Sequence, residues 1–421
     1  MTILILSQYY TPEPIPKPVE LAQDLRNQGH TVYVITGFPN YPEGVLYQGY
    51  RLSLRQEETI DGISVRRTYE FPYHGKRAIG RFANYLSFMV SAPVGLWKLP
   101  PVDVMYVWHP PLTIGVAAAI ISRLRRIPLV YDVQDIWPEA ALLSGVMRPG
   151  FLVNCLFRLE KMVYKWADHL IVVTKGAKEN LVKKGVPARK ITPLPNWVNE
   201  STFTHSDPSG RVRLREQYGW QDRFVVLFAG NMGIVQGLET VIKAAALAED
   251  RTILYVFVGD GSNKANLESM TRELGLGGVV SFLPRQPMEN MPGLMMAADL
   301  LLVHLKDSEL SNYVIPSKTM AYLAAGKPIV MAMGGAAADL VAEANAGLVV
   351  PPENPAALAQ AVQQARNMPA SDLETLGANG RNFLLEKFTR KTVVQQYIDL
   401  LFAVSGNPSS NQPRKDVCAS S

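Results

Sequence analysis

The residues in this chain that could do chemistry sit at turns rich in glycine, proline and lysine. Tyr313-Val314-Ile315-Pro316-Ser317-Lys318 leads into a helical stretch, residues 319–325, that is closed by Gly326-Lys327-Pro328. Proline suits a first helical turn, where its missing N–H would go unpaired anyway. The N–H groups of Ser317 and Lys318 then face outward beside an ammonium, which makes an anion site. The alternative is an exposed helix start with a solvated lysine.

A second set is Gly230-Asn231-Met232-Gly233 with Gln236-Gly237-Leu238, between the predicted strand 223–229 and a helix at 239–248. Glycines at a strand-to-helix turn let backbone N–H groups approach a phosphate. They equally serve a turn that merely needs glycine. Gly259-Asp260-Gly261-Ser262 carries the same two readings. Further upstream, Tyr131-Asp132-Val133-Gln134-Asp135-Ile136-Trp137-Pro138-Glu139 sets carboxylates and an indole at the end of a strand. Such groups orient sugar hydroxyls, or else Asp135 and Glu139 cap the next helix. His109, at another strand end, is either an acid, base or hydroxyl donor or a structural histidine.

These turns need a scaffold. Short β-branched and aromatic runs alternate with helical stretches, the pattern of parallel sheets covered by helices on both faces. Strands are predicted at 2–10, 30–37, 63–69, 102–109, 128–135 and 169–174, with a helix at 19–28 capped by Gly29. A polar stretch at 199–220 interrupts the pattern. It restarts with strands at 223–230, 252–259, 279–283, 300–305, 328–333 and 347–350. The chain therefore reads as α/β, two doubly wound Rossmann-like domains in tandem facing an interdomain cleft. The domains are placed at 1–200 and 223–385, joined by a linker at 201–222. An amphipathic terminal helix at 371–404 follows, and then a disordered tail at 405–421. In such sheets ligands bind beyond the carboxyl ends of the strands.

At 421 residues the chain is too long for one core. Its two cysteines, Cys155 and Cys418, exclude a disulfide scaffold and a zinc spacing and point to a reducing, cytoplasmic home. Residues 3–6 read as a buried strand, not a secretory signal. Residues 82–97 are too short and too polar to cross a bilayer. The net charge is +5, with 23 Lys and Arg against 16 Asp and Glu in residues 1–200 and 19 against 21 beyond. A basic first half points to an anionic partner such as phospholipid at the inner face of the plasma membrane, pyrophosphate or nucleic acid, and charge alone does not choose among them. Phe82, Tyr85, Leu86, Met89, Val90, Pro93 and Trp97, bracketed by Lys76, Arg77, Arg81 and Lys98, are either a helix lying on such a surface or a core-facing helix.

Taken together, the motifs resemble the family 4 glycosyltransferases, retaining enzymes of the two-Rossmann GT-B architecture, over essentially residues 1–400. The nearest branch is the fucosamine- and colanic-acid-type transferases of bacterial surface polysaccharide synthesis. The marks are Thr36-Gly37-Phe38-Pro39-Asn40-Tyr41-Pro42, Gln48-Gly49-Tyr50-Arg51, the block 131–139, the glycine turn at 230–233 with Gln236-Gly237, and Pro316-Ser317-Lys318 with 322–328. The resemblance implies transfer of a sugar, by preference an acetamido sugar, from a nucleotide diphosphate donor, by preference UDP-linked. The acceptor would be a lipid-linked molecule or a glycan in exopolysaccharide or O-antigen synthesis.

It implies donor contacts from Gly230, Asn231, Met232, Gly233, Gln236, Gly259, Arg285, Tyr313, Pro316, Ser317 and Lys318. Catalytic parts fall to Lys318 and Arg285 on the leaving diphosphate and to Asp135 on the acceptor. No metal or other cofactor is implied, because cationic side chains and helix N-termini neutralise the diphosphate. The acceptor would meet the loops 11–18 and 39–47 and the region 71–88, and the end of the terminal helix, residues 386–404, would cross back onto the first domain. Where the family carries two glutamates, this chain has Tyr313 and Ala321. Gln134 stands in place of a histidine, and Asn231 and Gln236 in place of Arg and Lys. Two rival readings are a nucleotide-sugar epimerase of the same fold and a non-catalytic nucleotide-sugar-binding protein. A dinucleotide oxidoreductase lacks its Gly-x-Gly-x-x-Gly after the first strand, and no nucleic-acid module is present.

Overall fold

The computed structural model describes residues 1–75, 77–143, 147–198 and 208–406. Among these, the first sheet holds β1 (Thr2–Leu6), β2 (Thr31–Gly37), β3 (Arg55–Ile60), β4 (Ile63–Thr68), β5 (Val104–Trp108), β6 (Leu129–Val133), β7 (His169–Val172) and β8 (Ile191–Pro193). Their order is β3-β4-β2-β1-β5-β6-β7-β8, parallel except for the antiparallel β3–β4 pair. The second sheet holds β9 (Phe224–Ala229), β10 (Ile253–Val258), β11 (Val280–Leu283), β12 (Leu300–His304), β13 (Ile329–Ala332) and β14 (Gly347–Val349), all parallel, in the order β11-β10-β9-β12-β13-β14. Both sheets are doubly wound, and each reverses strand order beside its first strand, at β1–β5 and at β9–β12.

The central strands are buried along their whole length because helices cover both faces. β9 and β10, FVVLFA and ILYVFV, have no exposed residue. On one face of the first sheet the helices Ala78–Ser91, Leu112–Arg125 and Phe151–Trp166 bury Phe88, Ile114, Ala117 and Val163 against Leu4, Met105 and Tyr131. On the other face Leu21 and Leu25 of the helix Pro16–Asn27 pack beside Val394, Tyr397 and Leu401 of the helix Arg390–Ser405.

Three expectations are corrected. The long terminal helix at 371–404 is two helices, Ala370–Lys387 and Arg390–Ser405. Thr389 ends the run: its backbone is extended, its hydroxyl accepts the Thr392 N–H, and it pairs with Val198. Leu384 and Phe388 belong to the second core, whereas the helix from Arg390 belongs to the first. The linker placed at 201–222 is in part a helix, Pro208–Tyr218, whose Leu214 and Tyr218 pack with Trp220 on the second core. Arg215 clamps it to Asp299 at 3.0 Å. Residues 199–207 of that stretch, and the tail from 407, lie outside the described residues. Finally, β3 and β8 were not expected. β3 is a half-exposed edge strand, RQEETI, that turns into β4 through Asp61-Gly62, both at positive φ.

No helix among the described residues is long and apolar enough to cross a membrane. The stretch 82–97 is the end of the helix Ala78–Ser91 and a 3-10 turn, Ala92–Leu96.

Candidate functional site

A cavity of about 890 Å³ opens at the carboxyl ends of β9, β10 and β11, against the start of the helix Ser317–Ala325. Gly230, Asn231, Gln236, Gly259, Arg285, Pro316, Ser317 and Lys318 all line it. These residues come from four separate loops, brought together because the strands are parallel and in register.

Two glycines make the wall. Gly230 and Gly259 sit at φ 140° and 139°, where other residues are strained, and a Cβ on Gly259 would lie 2.1 Å from the Gly230 carbonyl oxygen. The β9 and β10 turns are therefore in backbone contact, tied by Gly230 N–H to the Val258 carbonyl and by Met232 N–H to the Asp260 carbonyl. Opposite, Pro316 is extended at φ −55° and ψ 132°, and Thr319 N–H returns to its carbonyl. The first N–H groups of the helix, at Ser317 and Lys318, have no intrahelical acceptor. The helix is held on β9 by buried Tyr322, whose hydroxyl accepts the Ala229 N–H at 2.8 Å.

Lys318 supplies the charge. Its Nζ donates to Gln236 Oε1 at 2.6 Å and lies 3.8 Å from the centre of the Phe228 ring. Burial pushes its ammonium down to about 7, and no carboxylate offsets that. Below that pH the cavity holds a cation whose protein partners are an amide and a ring, so it is set to take an anion. Gln236 is itself oriented by buried His304, which donates from Nδ1 to the Gln236 carbonyl at 2.6 Å. Exposed Arg285 brings a second cation at the mouth, and Asp260 is the one carboxylate in the lining.

The remaining sequence-derived residues lie elsewhere. Met232 is fully buried in the second core, and Gly233, next to it, is outside the lining. Tyr313 packs against the core of the first domain, so it does not reach the cavity, while Ala321 does line it. Asp135 stands just past β6, half-buried. Its carboxyl is raised by burial and makes no hydrogen bond or ion pair among the described residues. By contrast Glu139 is committed to Lys184, which also binds buried Glu160, both at 2.5 Å. His109 is buried, held neutral by burial at about 3, and its Nδ1 has no partner among the described residues. Gln134 is locked at both ends, donating to Asp132 Oδ1 at 2.7 Å and accepting from Asn196 at 2.9 Å.

Sequence reasoning did not single out His304, nor the apolar floor of Met288, Met291 and Met295. A methionine cluster looks the same in a core, and a strand-end histidine carries no signature of what it orients.

The two domains meet at this end of the first sheet. Thr174, just past β7, accepts the Ala177 N–H and donates its hydroxyl to the Asn312 carbonyl at 3.0 Å. A Cβ on Gly176 would lie 2.2 Å from that same carbonyl oxygen.

Family models match both halves: a glycosyl transferase 4-like domain at residues 18–197 and a glycosyl transferases group 1 domain at 211–383. Among curated proteins, the putative colanic acid biosynthesis glycosyl transferase WcaI of Escherichia coli K12 is 27% identical over 417 residues, 95% of this chain and 99% of that one. The probable glycosyltransferase WbjE of Pseudomonas aeruginosa is 26% identical over 275 residues, 63% and 66% of the two chains. Among solved structures, HepE of Anabaena in complex with UDP superposes with a TM-score of 0.72 at 20% identity, over 96% of this chain and 100% of that one. Sucrose-phosphate synthase of Thermosynechococcus elongatus gives 0.74 at 18% identity, over 96% and 99%. The parallel-sheet pair, the cationic cavity and these matches agree: the chain belongs to the glycosyltransferases of two-domain GT-B architecture.

Proposed function

We propose that this glycosyltransferase moves a sugar from a nucleotide diphosphate donor, UDP-linked by preference, onto a lipid-linked or glycan acceptor in bacterial surface polysaccharide synthesis. The observation that carries the donor half is Lys318, a buried ammonium without a carboxylate partner at a helix start and facing two glycine turns. A diphosphate supplies the counter-charge that Lys318 lacks, and the apolar floor suits a base or sugar face. The polysaccharide setting draws support from the relatives named for colanic acid and for lipopolysaccharide core biosynthesis. The UDP preference draws support from a neighbour solved with UDP-glucose. An acetamido sugar and retention of configuration rest on the family resemblance.

In this reading Lys318, Arg285 and the amides of Ser317 and Lys318 stabilise charge that builds on the departing diphosphate, without a metal. Asp135, across the cleft, orients the acceptor. Such a transfer depends on positioning and electrostatics more than on covalent help from the protein.

Saturation-transfer NMR against a panel of nucleotide sugars, followed by a turnover assay with membrane extract, tests the reading. The expected result is binding of one donor and release of nucleoside diphosphate only when acceptor is added. A donor isomer formed without acceptor would establish an epimerase instead. Binding with no turnover would establish a non-catalytic protein, a reading favoured by the absence of any carboxylate at Ala321.

A further inference from the structure

We propose that the cavity leaves the 2′-hydroxyl of its nucleotide unread. It then binds deoxyribonucleotide donors, thymidine diphosphate sugars among them, as well as ribonucleotide ones, and Ala321 is the residue that sets this tolerance. The inference rests on the donor reading above and goes beyond it, since it concerns how much of the nucleoside the site distinguishes.

The two ends of the cavity differ in chemistry. At one end Lys318, its partner Gln236 and the glycine turns offer charge and polar groups. At the other, Met291, Pro292 and Met295 of the helix Met291–Ala297 offer side chains of carbon and sulfur alone. Ala321 joins the two ends. It lines the cavity one turn beyond Ser317 on the same face of the helix Ser317–Ala325, about 6 Å along the axis. It also packs with Met291 and Met295 in one apolar cluster.

A nucleoside diphosphate placed by its charge has its diphosphate at the helix start. Its base then goes to the methionines, and its ribose crosses the Ala321 methyl. The 5-methyl group that distinguishes thymine from uracil is no obstacle at such a floor, because unbranched methionine side chains adapt to an added carbon.

A ribose is told from a deoxyribose by an acceptor for its 2′-hydroxyl, and a carboxylate is suited to that task. None stands on this side of the cavity among the described residues. Asp260, the one carboxylate in the lining, belongs to the opposite wall. Its Oδ1 accepts the Gly261 N–H at 2.8 Å, and its carbonyl accepts the Met232 N–H at 2.7 Å. That turn lies against Asn231, whose Oδ1 would be 2.6 Å from a Cβ on Gly261. The other polar side chains near the cavity are committed elsewhere. Gln236 holds Lys318, Gln286 donates its amide back to the Pro284 carbonyl at 3.2 Å, and Glu239 accepts from Asn263 at 2.8 Å. Glu289 is exposed and outside the lining.

Titration calorimetry of the full chain with UDP, 2′-deoxy-UDP and thymidine diphosphate is the test. The three dissociation constants should agree within about threefold, whereas a 2′-hydroxyl held by a carboxylate is worth roughly ten- to a hundredfold. UDP bound about tenfold or more tighter than 2′-deoxy-UDP would overturn the proposal and leave the donor reading standing. A similar loss between 2′-deoxy-UDP and thymidine diphosphate would overturn it too, and no binding by any of the three would end both readings. Ala321→Glu supplies the missing carboxylate and should introduce a preference for UDP over 2′-deoxy-UDP of about tenfold or more. The ratio is the readout, because the added charge repels both diphosphates alike. Ala321→Gln, an uncharged acceptor of the same length, should show a smaller preference of the same sign. Variants that bind UDP with a ratio still near one would place the ribose elsewhere and remove Ala321 from the argument. The comparison on the wild-type chain decides the proposal whether or not either variant folds.

Discussion

Lys318 Nζ lies 2.6 Å from Gln236 Oε1, so the one buried cation of the cavity is held by a neutral amide, and no acid neutralises it. That relationship shapes the expected behaviour of the site.

Replacing Lys318 by Met should weaken UDP binding roughly ten- to a hundredfold, the scale of a lost charge-assisted contact of ~1.5–3 kcal/mol. The same change should raise the melting temperature, because it removes a buried charge that has no ionic partner. Titration calorimetry and a thermal scan on one preparation check both. A variant that binds UDP as the wild type does would move the diphosphate elsewhere.

Nucleotide affinity should depend on pH. The folded value of about 7 for Lys318 lies below its ordinary 10.5, so the free protein sheds this proton first. Affinity for UDP should fall as pH rises through 7 towards 9, and Lys318→Met should flatten that profile. Folding stability moves the other way, rising with pH between these two values, because the unfolded chain holds the proton more tightly.

Gly176→Ala should separate binding from turnover. An added Cβ meets the Asn312 backbone oxygen, which cannot swing aside, so the domains must shift apart. UDP affinity should stay unchanged, since the cavity belongs to one domain, while kcat falls roughly ten- to a hundredfold, as catalytic misplacement does. Small-angle scattering should report a more open molecule.

Glu70 makes a second pH prediction. It is fully buried, with Gln8, Asn40 and Asn84 all donating to its Oε1 at 2.6–3.1 Å, and burial raises its carboxyl to about 8. A carboxyl raised above its unfolded value stabilises fully below that value and loses its contribution as pH climbs through the folded one. Wild-type stability should therefore decline between about 4.5 and 8 from this group, and Glu70→Gln should remove that slope in urea titrations at several pH values.

Much of the fold was legible because parallel strands buried on both faces need unbroken apolar runs. Residues 224–229 and 253–258 announce themselves this way, and Gly29 closes its helix at φ 84° as its position suggests. β3 escaped notice because an edge strand, RQEETI, needs no such run, although Asp61-Gly62 marks its hairpin. The break at Thr389 was also unreadable, since the apolar spacing on either side fits one helix; only the separate cores of the two domains require it to stop.

For the site, the chain alone determined the turn types. Pro316-Ser317-Lys318 must start a helix with free N–H groups, and the glycine turns must bring backbone close to something, because local sterics dictate both. Tertiary structure decided which turns meet. It drew Gly230, Gly259, Arg285 and Lys318 round one cavity, turned Tyr313 to the other domain, sank Met232 in the core and tied Glu139 to Lys184. Those outcomes depend on strand order and on the burial of whole faces, and no short stretch of sequence encodes either.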